Sequence, residues 1–335
     1  MLKRVFLLCF LVAPVLSAAD LPVKVSNPIP IADVRLLDSP FLDAQKRDLE
    51  YMLSLDPDRL LSGMRAGAGM EPKGKLYGGW EKNGSGIVGH YLSACAWMAA
   101  ATGDARIKQR MDYIVGEMAE YQKQRGDGGL YASAWEANDW YARLGRGDVR
   151  LSNVLPWYVG HKTLAGVRDA WLVGGNGQAK DVLIRYADWC HAITSKLTEK
   201  QWADMTSKEI GAPNEVFADL HAATGNPKYL ELAKKFIKEP MVAALEKNDR
   251  TILSGKHANT EIPMFVGYQR TYETSGEPRW NRAASNFWDA VIGGQTFAFG
   301  GNSIWEAFIN PAEYDKKLTD VCGPETCNTY NLLKL

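Results

Sequence analysis

Four times along this chain a stretch of small and apolar residues stops at a glycine, and a polar residue then opens an amphipathic stretch. The marks read Ala101-Thr102-Gly103-Asp104, Ala223-Thr224-Gly225-Asn226 and Thr274-Ser275-Gly276-Glu277, with Val173-Gly174-Gly175-Asn176 as a looser copy. Glycine there supplies the left-handed residue that closes an α-helix, and the polar residue after it caps the next. Gly174, Gly225 and Gly276 follow one another at intervals of 51 residues. A repeat of that length, two helices to the unit, restricts the chain to stacked or circular helical hairpins.

The stretches before the marks begin near Gly86, Gly160, Pro213 and His257 and have the composition of inner helices. Those after them, such as 105–122 and 227–245, carry Lys, Arg and Glu on one face and read as outer helices. A fifth inner helix begins at Thr326. The expected fold class is all-α: an (α/α)6 toroid without its sixth hairpin, with a helical solenoid as the competing arrangement. An extended segment, 31–37, precedes the first helix, which Ser39-Pro40 opens with a cap and a proline at the first helical position. Tyr330, Leu332 and Leu333 start an apolar helical face that no Gly, Asn or Pro closes, so the chain is expected to stop inside a helix.

At 335 residues and 46% hydrophobic content the chain can bury a large core. Its 39 basic and 39 acidic residues cancel, which argues against nucleic acid or an anionic membrane as the main partner. Met1-Leu2-Lys3-Arg4, the apolar run 5–16 and Ser17-Ala18-Ala19 form a secretory signal peptide, 1–19, and leave an exported domain, 20–335. Cys95 and Cys190 sit in apolar helical patterns and read as buried thiols, whereas Cys322 and Cys327 are either a disulfide pair or free.

With parallel inner helices, their N-termini meet at one mouth. His90 stands near the start of the first, His161 of the second, Asn214 and Glu215 of the third, His257 and Asn259 of the fourth, and Glu325 and Cys327 of the fifth. Helix starts also attract polar residues as caps, which is a local explanation for Asn214 and Thr326. Five helices doing so at one end describe a site for a neutral, hydroxyl-rich ligand. Trp80, in Gly78-Gly79-Trp80-Glu81, either stacks on a sugar ring or packs beneath its turn. Glu306 follows a turn-rich stretch and is flanked by Trp305 and Phe308, a setting expected to desolvate a general acid. In Cys322-Gly323-Pro324-Glu325-Thr326-Cys327-Asn328, a carboxylate and a thiol two residues apart at a helix start can share one zinc ion.

These segments, together with Gly89-His90-Tyr91-Leu92-Ser93-Ala94, His161-Lys162, His257-Ala258-Asn259-Thr260 and Glu306-Ala307-Phe308, appear in one order. In combination they resemble the β-L-arabinofuranosidases of glycoside hydrolase families 127 and 146, the Gly-Pro-Glu-Thr-Cys-Asn form being closer to family 146. The resemblance covers residues 34–335. It implies an (α/α)6 barrel followed by β-sandwich domains, an arabinose-containing glycan as substrate, and a retaining mechanism. The nucleophile would be a cysteine thiolate on zinc, the metal being held by a Glu-x-Cys pair and two adjacent cysteines further along. Glu306 matches the acid/base, Glu325 and Cys327 two zinc ligands, and His90, His161 and His257 sugar-contacting histidines. The adjacent cysteine pair has no counterpart in this sequence, so the chain as given is expected to be inactive. A uronic-acid hydrolase or lyase on the same scaffold, and a non-catalytic glycan-binding module with a Cys322–Cys327 disulfide, are the competing functions.

Overall fold

The computed structural model describes residues 22–23, 29–79, 84–150, 156–208, 210–317 and 319–335. The expected signal 1–19 and Trp80 lie outside them. In chain order, α1 (Pro40–Ser54) and α2 (Pro57–Gly67) lead to α3 (Val88–Thr102) and α4 (Ala105–Arg125). A π-helical turn, Glu136–Trp140, runs into the short α5 (Tyr141–Leu144). Next come α6 (Pro156–Leu172), α7 (Gly177–Thr194), α8 (Glu199–Thr206), α9 (Pro213–Thr224), α10 (Pro227–Lys235) and α11 (Glu239–Glu246). After them stand α12 (Ala258–Ser275), α13 (Pro278–Gly294), α14 (Tyr314–Lys317) and α15 (Thr326–Leu332). Among the described residues there are isolated β-bridges and no strand, so the all-α expectation holds.

The glycine marks do what their chemistry requires. Gly103, Gly225 and Gly276 close α3, α9 and α12 with φ of 71°, 69° and 72°. Each returns its N–H to the carbonyl four residues back, on Ala99, His221 and Tyr272. At the looser mark the left-handed residue is Gly175 rather than Gly174, and Asn176 caps α7. Because each mark reverses the chain, α3 packs on α6, α6 on α9, α9 on α12 and α12 on α15, forming an inner wall. Outside it α4 lies against α7 and α7 against α10.

Several boundaries move. The segment 31–37 opens with a 3-10 turn, Ile31–Asp33, before it extends. The second inner helix begins four residues early, at Pro156, since proline at a first helical position gives up no needed hydrogen bond. The expected helix 227–245 is two helices. Pro240 has no N–H for the Phe236 carbonyl and its ring collides with it, so the chain bends at 236–238. The Lys238 N–H freed by the bend goes to Tyr268 Oη at 2.9 Å.

One close approach fixes the histidines. A Cβ on Gly89 would lie 2.3 Å from the Lys162 carbonyl, and one on Gly166 would lie 2.4 Å from the Gly89 carbonyl. α3 and α6 therefore cross backbone to backbone, which holds His90 and His161 on adjoining walls.

Candidate active site

Between α3, α6, α12 and α15 lies a cavity of about 750 Å³. His90, His161 and Cys327, all singled out from the sequence, line it together. His161 accepts the Ala212 N–H on Nδ1 at 2.9 Å, so its ring hydrogen sits on Nε2. That Nε2 is buried and has no hydrogen-bond partner; Glu215 Oε2, at 3.8 Å, is too far. Burial, with Lys162 adding to it, pulls the His161 pKa down to about 3, so the ring is a neutral donor. Burial and then Lys162 likewise bring His90 down to about 4, and Tyr158 Oη stands 3.4 Å from its Nε2.

Asn214 and Glu215 are corrected. Asn214 is 0% exposed and donates to the Met264 carbonyl, its amide pressed on Gly267 where α9 meets α12. It is a packing residue. Glu215 lies under the floor in a buried ion network. Arg168 reaches Glu215 at 2.8 Å, Asp219 at 2.7 Å and Asp169 at 3.0 Å, and Lys334 Nζ lies 2.9 Å from Glu215. Burial opposes the Glu215 charge, yet Arg168 and Lys334 hold its pKa well below the usual carboxylate range. Asp169 in turn accepts from Ser93 Oγ at 2.6 Å and Trp97 Nε1 at 3.3 Å, which fastens the network to α3.

Glu306 sits on a strained turn. Ile304 and Ala307 exchange backbone hydrogen bonds at 3.0 and 3.1 Å, and the two residues between them, Trp305 and Glu306, have φ of 50° and 61°. A two-residue turn with both central φ positive ordinarily takes Asn-Gly. Placing two large L-residues there costs about 1–2 kcal/mol each. Neighbours hold the strain: Ala258 N–H donates to the Glu306 carbonyl at 2.7 Å, and Trp305 Nε1 donates to Asp320 at 2.7 Å. The expected desolvation is not seen. The Glu306 side chain is 56% exposed and Trp305 also faces outward, because the left-handed turn aims both away from the core.

His257 caps α12, its Nδ1 accepting the Thr260 N–H at 3.1 Å. That cap leaves the ring hydrogen on Nε2, which lies 3.2 Å from Glu306 Oε2 and donates to it. The pair stands beside the cavity rather than in its lining. The start of α15 ties the two together. Asn328 Nδ2 donates to the Asn302 carbonyl and Ser303 Oγ, in the loop leading to Glu306, and Asn331 Nδ2 donates to Asn259 on α12.

Cys327 Sγ donates to Glu325 Oε2 at 3.2 Å. Two ligands of one tetrahedral zinc stand about 3.5 Å apart, so this pair fits as half a zinc site. Burial and then the Glu325 carboxylate push the Cys327 thiol up to about 11. Among the described residues no group of three or more His, Cys, Asp or Glu could complete a metal site. Cys322 and Cys327 are both free thiols, and Cys95 and Cys190 are buried as expected.

Sequence reasoning missed Trp97, Tyr158, Lys162, Asp169, Tyr330, Asn331 and Lys334, all of which line the cavity. The signal was available as helical spacing. Steps of three, four and seven residues from His90 reach Ser93, Ala94 and Trp97, and the same steps from Cys327 reach Tyr330, Asn331 and Lys334.

An all-α wall of inner helices around a polar cavity is the setting, and the match to a family model makes the chain a glycoside hydrolase domain. Residues 33–335 match the family described as β-L-arabinofuranosidase, GH127 catalytic domain, and the chain belongs to that family. No curated protein matches it. Among solved structures it is similar to the GH127 β-arabinofuranosidase BT3674, at 18% identity and a TM-score of 0.60, over 91% of this chain and 49% of that one. It is similar also to Ara127N-Se, a GH127 β-L-arabinofuranosidase from Geobacillus stearothermophilus T6, at 16% identity and a TM-score of 0.61, over 88% of this chain and 50% of that one. These likenesses show a shared fold, and the chain spans about half the length of either protein.

Proposed function

We propose that this chain carries the acid/base glutamate, two zinc ligands and the sugar-contacting histidines of an exported, retaining β-L-arabinofuranosidase that releases non-reducing-end arabinose from a glycan. The observation that carries this reading is the contact of Glu325 Oε2 with Cys327 Sγ at 3.2 Å, at the helix start that Asn328 fastens to the Glu306 loop. Export rests on the sequence of 1–19. Among the described residues no helix is long and apolar enough to cross a membrane.

The residues divide the work by chemistry. His257 Nε2–H holds one oxygen of Glu306, which leaves the other to present a proton to the departing glycosidic oxygen and later to take one from water. Exposure of the turn leaves room for the aglycone. His161 Nε2–H, buried and with Glu215 Oε2 no nearer than 3.8 Å, is a neutral donor that a sugar hydroxyl reaching the cavity floor would satisfy, and neutrality suits an uncharged furanose. Glu325 and Cys327 would hold the zinc, which when bound keeps a cysteine sulfur as thiolate at neutral pH. The nucleophile and the other two ligands would come from residues outside this sequence.

A uronic-acid hydrolase is the second reading, favoured by Lys162, Arg168 and Lys334 in the cavity lining against the single carboxylate of Asp169. Against it, Arg168 and Lys334 are already paired with Glu215.

Zinc titration of the purified chain against a competing chelator tests the ligand assignment. Binding should be weak, because two protein ligands fall short of the three or four a stable site uses, and Cys327→Ser should abolish it. Tight stoichiometric zinc, with turnover of an aryl arabinofuranoside, would show that the nucleophile and remaining ligands lie within this chain after all.

A further inference from the structure

A second cavity, of about 650 Å³, lies outside the inner wall and plays no part in the chemistry above. It is a groove beside α12, walled by α8, α10, α11 and the start of α13. Its lining runs from Lys256 and Glu261, at the N-terminal end of α12, to Glu277 and Trp280, just past the C-terminal end. α12 has 18 residues, so that span is on the order of 25 Å, a shape for a chain rather than a compact molecule.

Two observations define the ligand. Glu261 is 5% exposed, and its Oε1 accepts from Lys238 Nζ at 2.8 Å. Its Oε2 is buried with no partner at all. An acceptor left that way is a standing penalty, which a donor on a ligand would remove. Lys238 already neutralises the carboxylate, so the free oxygen favours a neutral hydroxyl over a second cation.

The second observation is charge balance. Five basic and five acidic side chains line the groove, and pairs such as Lys234–Glu277 at 2.6 Å and Arg279–Glu239 at 2.7 Å join its walls. Neither sign is left over to recruit an ionic ligand. The half-buried Ile237 and Ile252 supply apolar surface between the charges. Apolar surface with one buried hydroxyl acceptor matches a sugar ring, which shows C–H bonds on its faces and O–H groups at its edge.

We infer that this groove is a secondary binding site for a neutral polysaccharide chain, on the side of α12 away from the central cavity. Asn259 of that helix lines the central cavity and Glu261 the groove. The inference rests on the proposed arabinofuranosidase function only for the choice of probe.

The test is retention of the full chain in native gels containing linear arabinan, beside ligand-observed NMR of methyl β-L-arabinofuranoside. Ala203→Trp places an indole in the groove from the exposed face of α8 without touching the Lys238–Glu261 pair. Ser207→Trp, one turn further along, does the same if the first variant fails to fold. The groove variant should weaken gel retention at least five-fold and leave the monosaccharide signal unchanged, while His161→Asn should do the reverse. Unchanged retention in a folded groove variant, or parallel loss of both signals, overturns the inference. Groove-dependent retention with no monosaccharide binding to the unaltered chain would sink the proposed function and leave the groove standing.

Discussion

Replacing Glu306 with glutamine, in an active form of the protein, should cut hydrolysis of alkyl arabinofuranosides by about 10²–10⁴-fold. Hydrolysis of an activated aryl arabinofuranoside should fall far less. The difference follows from what the carboxyl supplies: an alkoxide cannot depart without a proton, whereas an activated phenolate can. A second substitution separates function from backbone strain. Glu306 has φ of 61° in a turn suited to glycine, so Glu306→Gly should stabilise the fold by roughly 1 kcal/mol while abolishing the acid. Steady-state rates on the two substrates, with thermal unfolding of each variant, check both halves. Equal loss on both substrates would argue against the acid role. A destabilised glycine variant would show that the His257 contact matters more to the fold than the left-handed backbone.

The largest effect on stability is expected at Arg168. Arg168→Met removes the cation that Glu215, Asp169 and Asp219 share; Lys334 still pairs with Glu215 and Arg270 with Asp219, but Asp169 loses its cation partner, and breaking a buried pair in this way costs about 3–5 kcal/mol. For a chain of this size that lowers Tm by roughly 4–7 °C. The same network makes the fold acid-sensitive, with a definite sign. Glu215 has a depressed folded pKa, so its contribution is complete above about pH 4.3 and is lost as pH falls through the folded value. His161 acts earlier. It stays neutral in the fold down to about pH 3, while the unfolded chain takes up the proton below about pH 6.5. His90 adds the same effect, with a folded value of about 4. Thermal unfolding from pH 7 to pH 3 should show Tm falling steadily, at first through His161 and His90, and the part of the fall below about pH 4.3 should be smaller in Arg168→Met. A flat profile would mean that these groups are solvated in solution.

The backbone was easier to read than the side chains. Gly103, Gly225 and Gly276 announce helix ends because only a left-handed residue with little steric bulk closes a helix there, and that requirement is local. The 51-residue step then carries the hairpin architecture. The break at 236–238 was equally local, written in Glu239-Pro240, and was passed over because the apolar pattern runs on through it.

Helix starts brought His90, His161 and Cys327 to one cavity, with His257 beside it, since position along a helix determines which end of the wall a residue approaches. Position does not determine direction. Asn214 and Glu215 begin α9 as expected, yet one packs on Gly267 and the other is turned towards Arg168, which lies 47 residues earlier in the chain. The Glu306 turn was hidden for a different reason: Trp-Glu is a poor sequence for a turn of that type. Contacts distant in sequence, from His257, Ala258 and the 320–322 segment, hold it there.

The central claim is that the cavity between α3, α6 and α15 takes a neutral arabinofuranose, with His161 Nε2–H as a donor to the sugar. Ligand-observed NMR of methyl β-L-arabinofuranoside, titrated with the chain and with His161→Asn, tests it without needing turnover. Asparagine retains an acceptor for the Ala212 N–H and removes the Nε2 donor. The account predicts binding to the unaltered chain, about ten-fold weaker binding to the variant, as loss of about 1.4 kcal/mol would give, and no displacement by galacturonate. Equal affinity for the two proteins, or displacement by galacturonate, would contradict it.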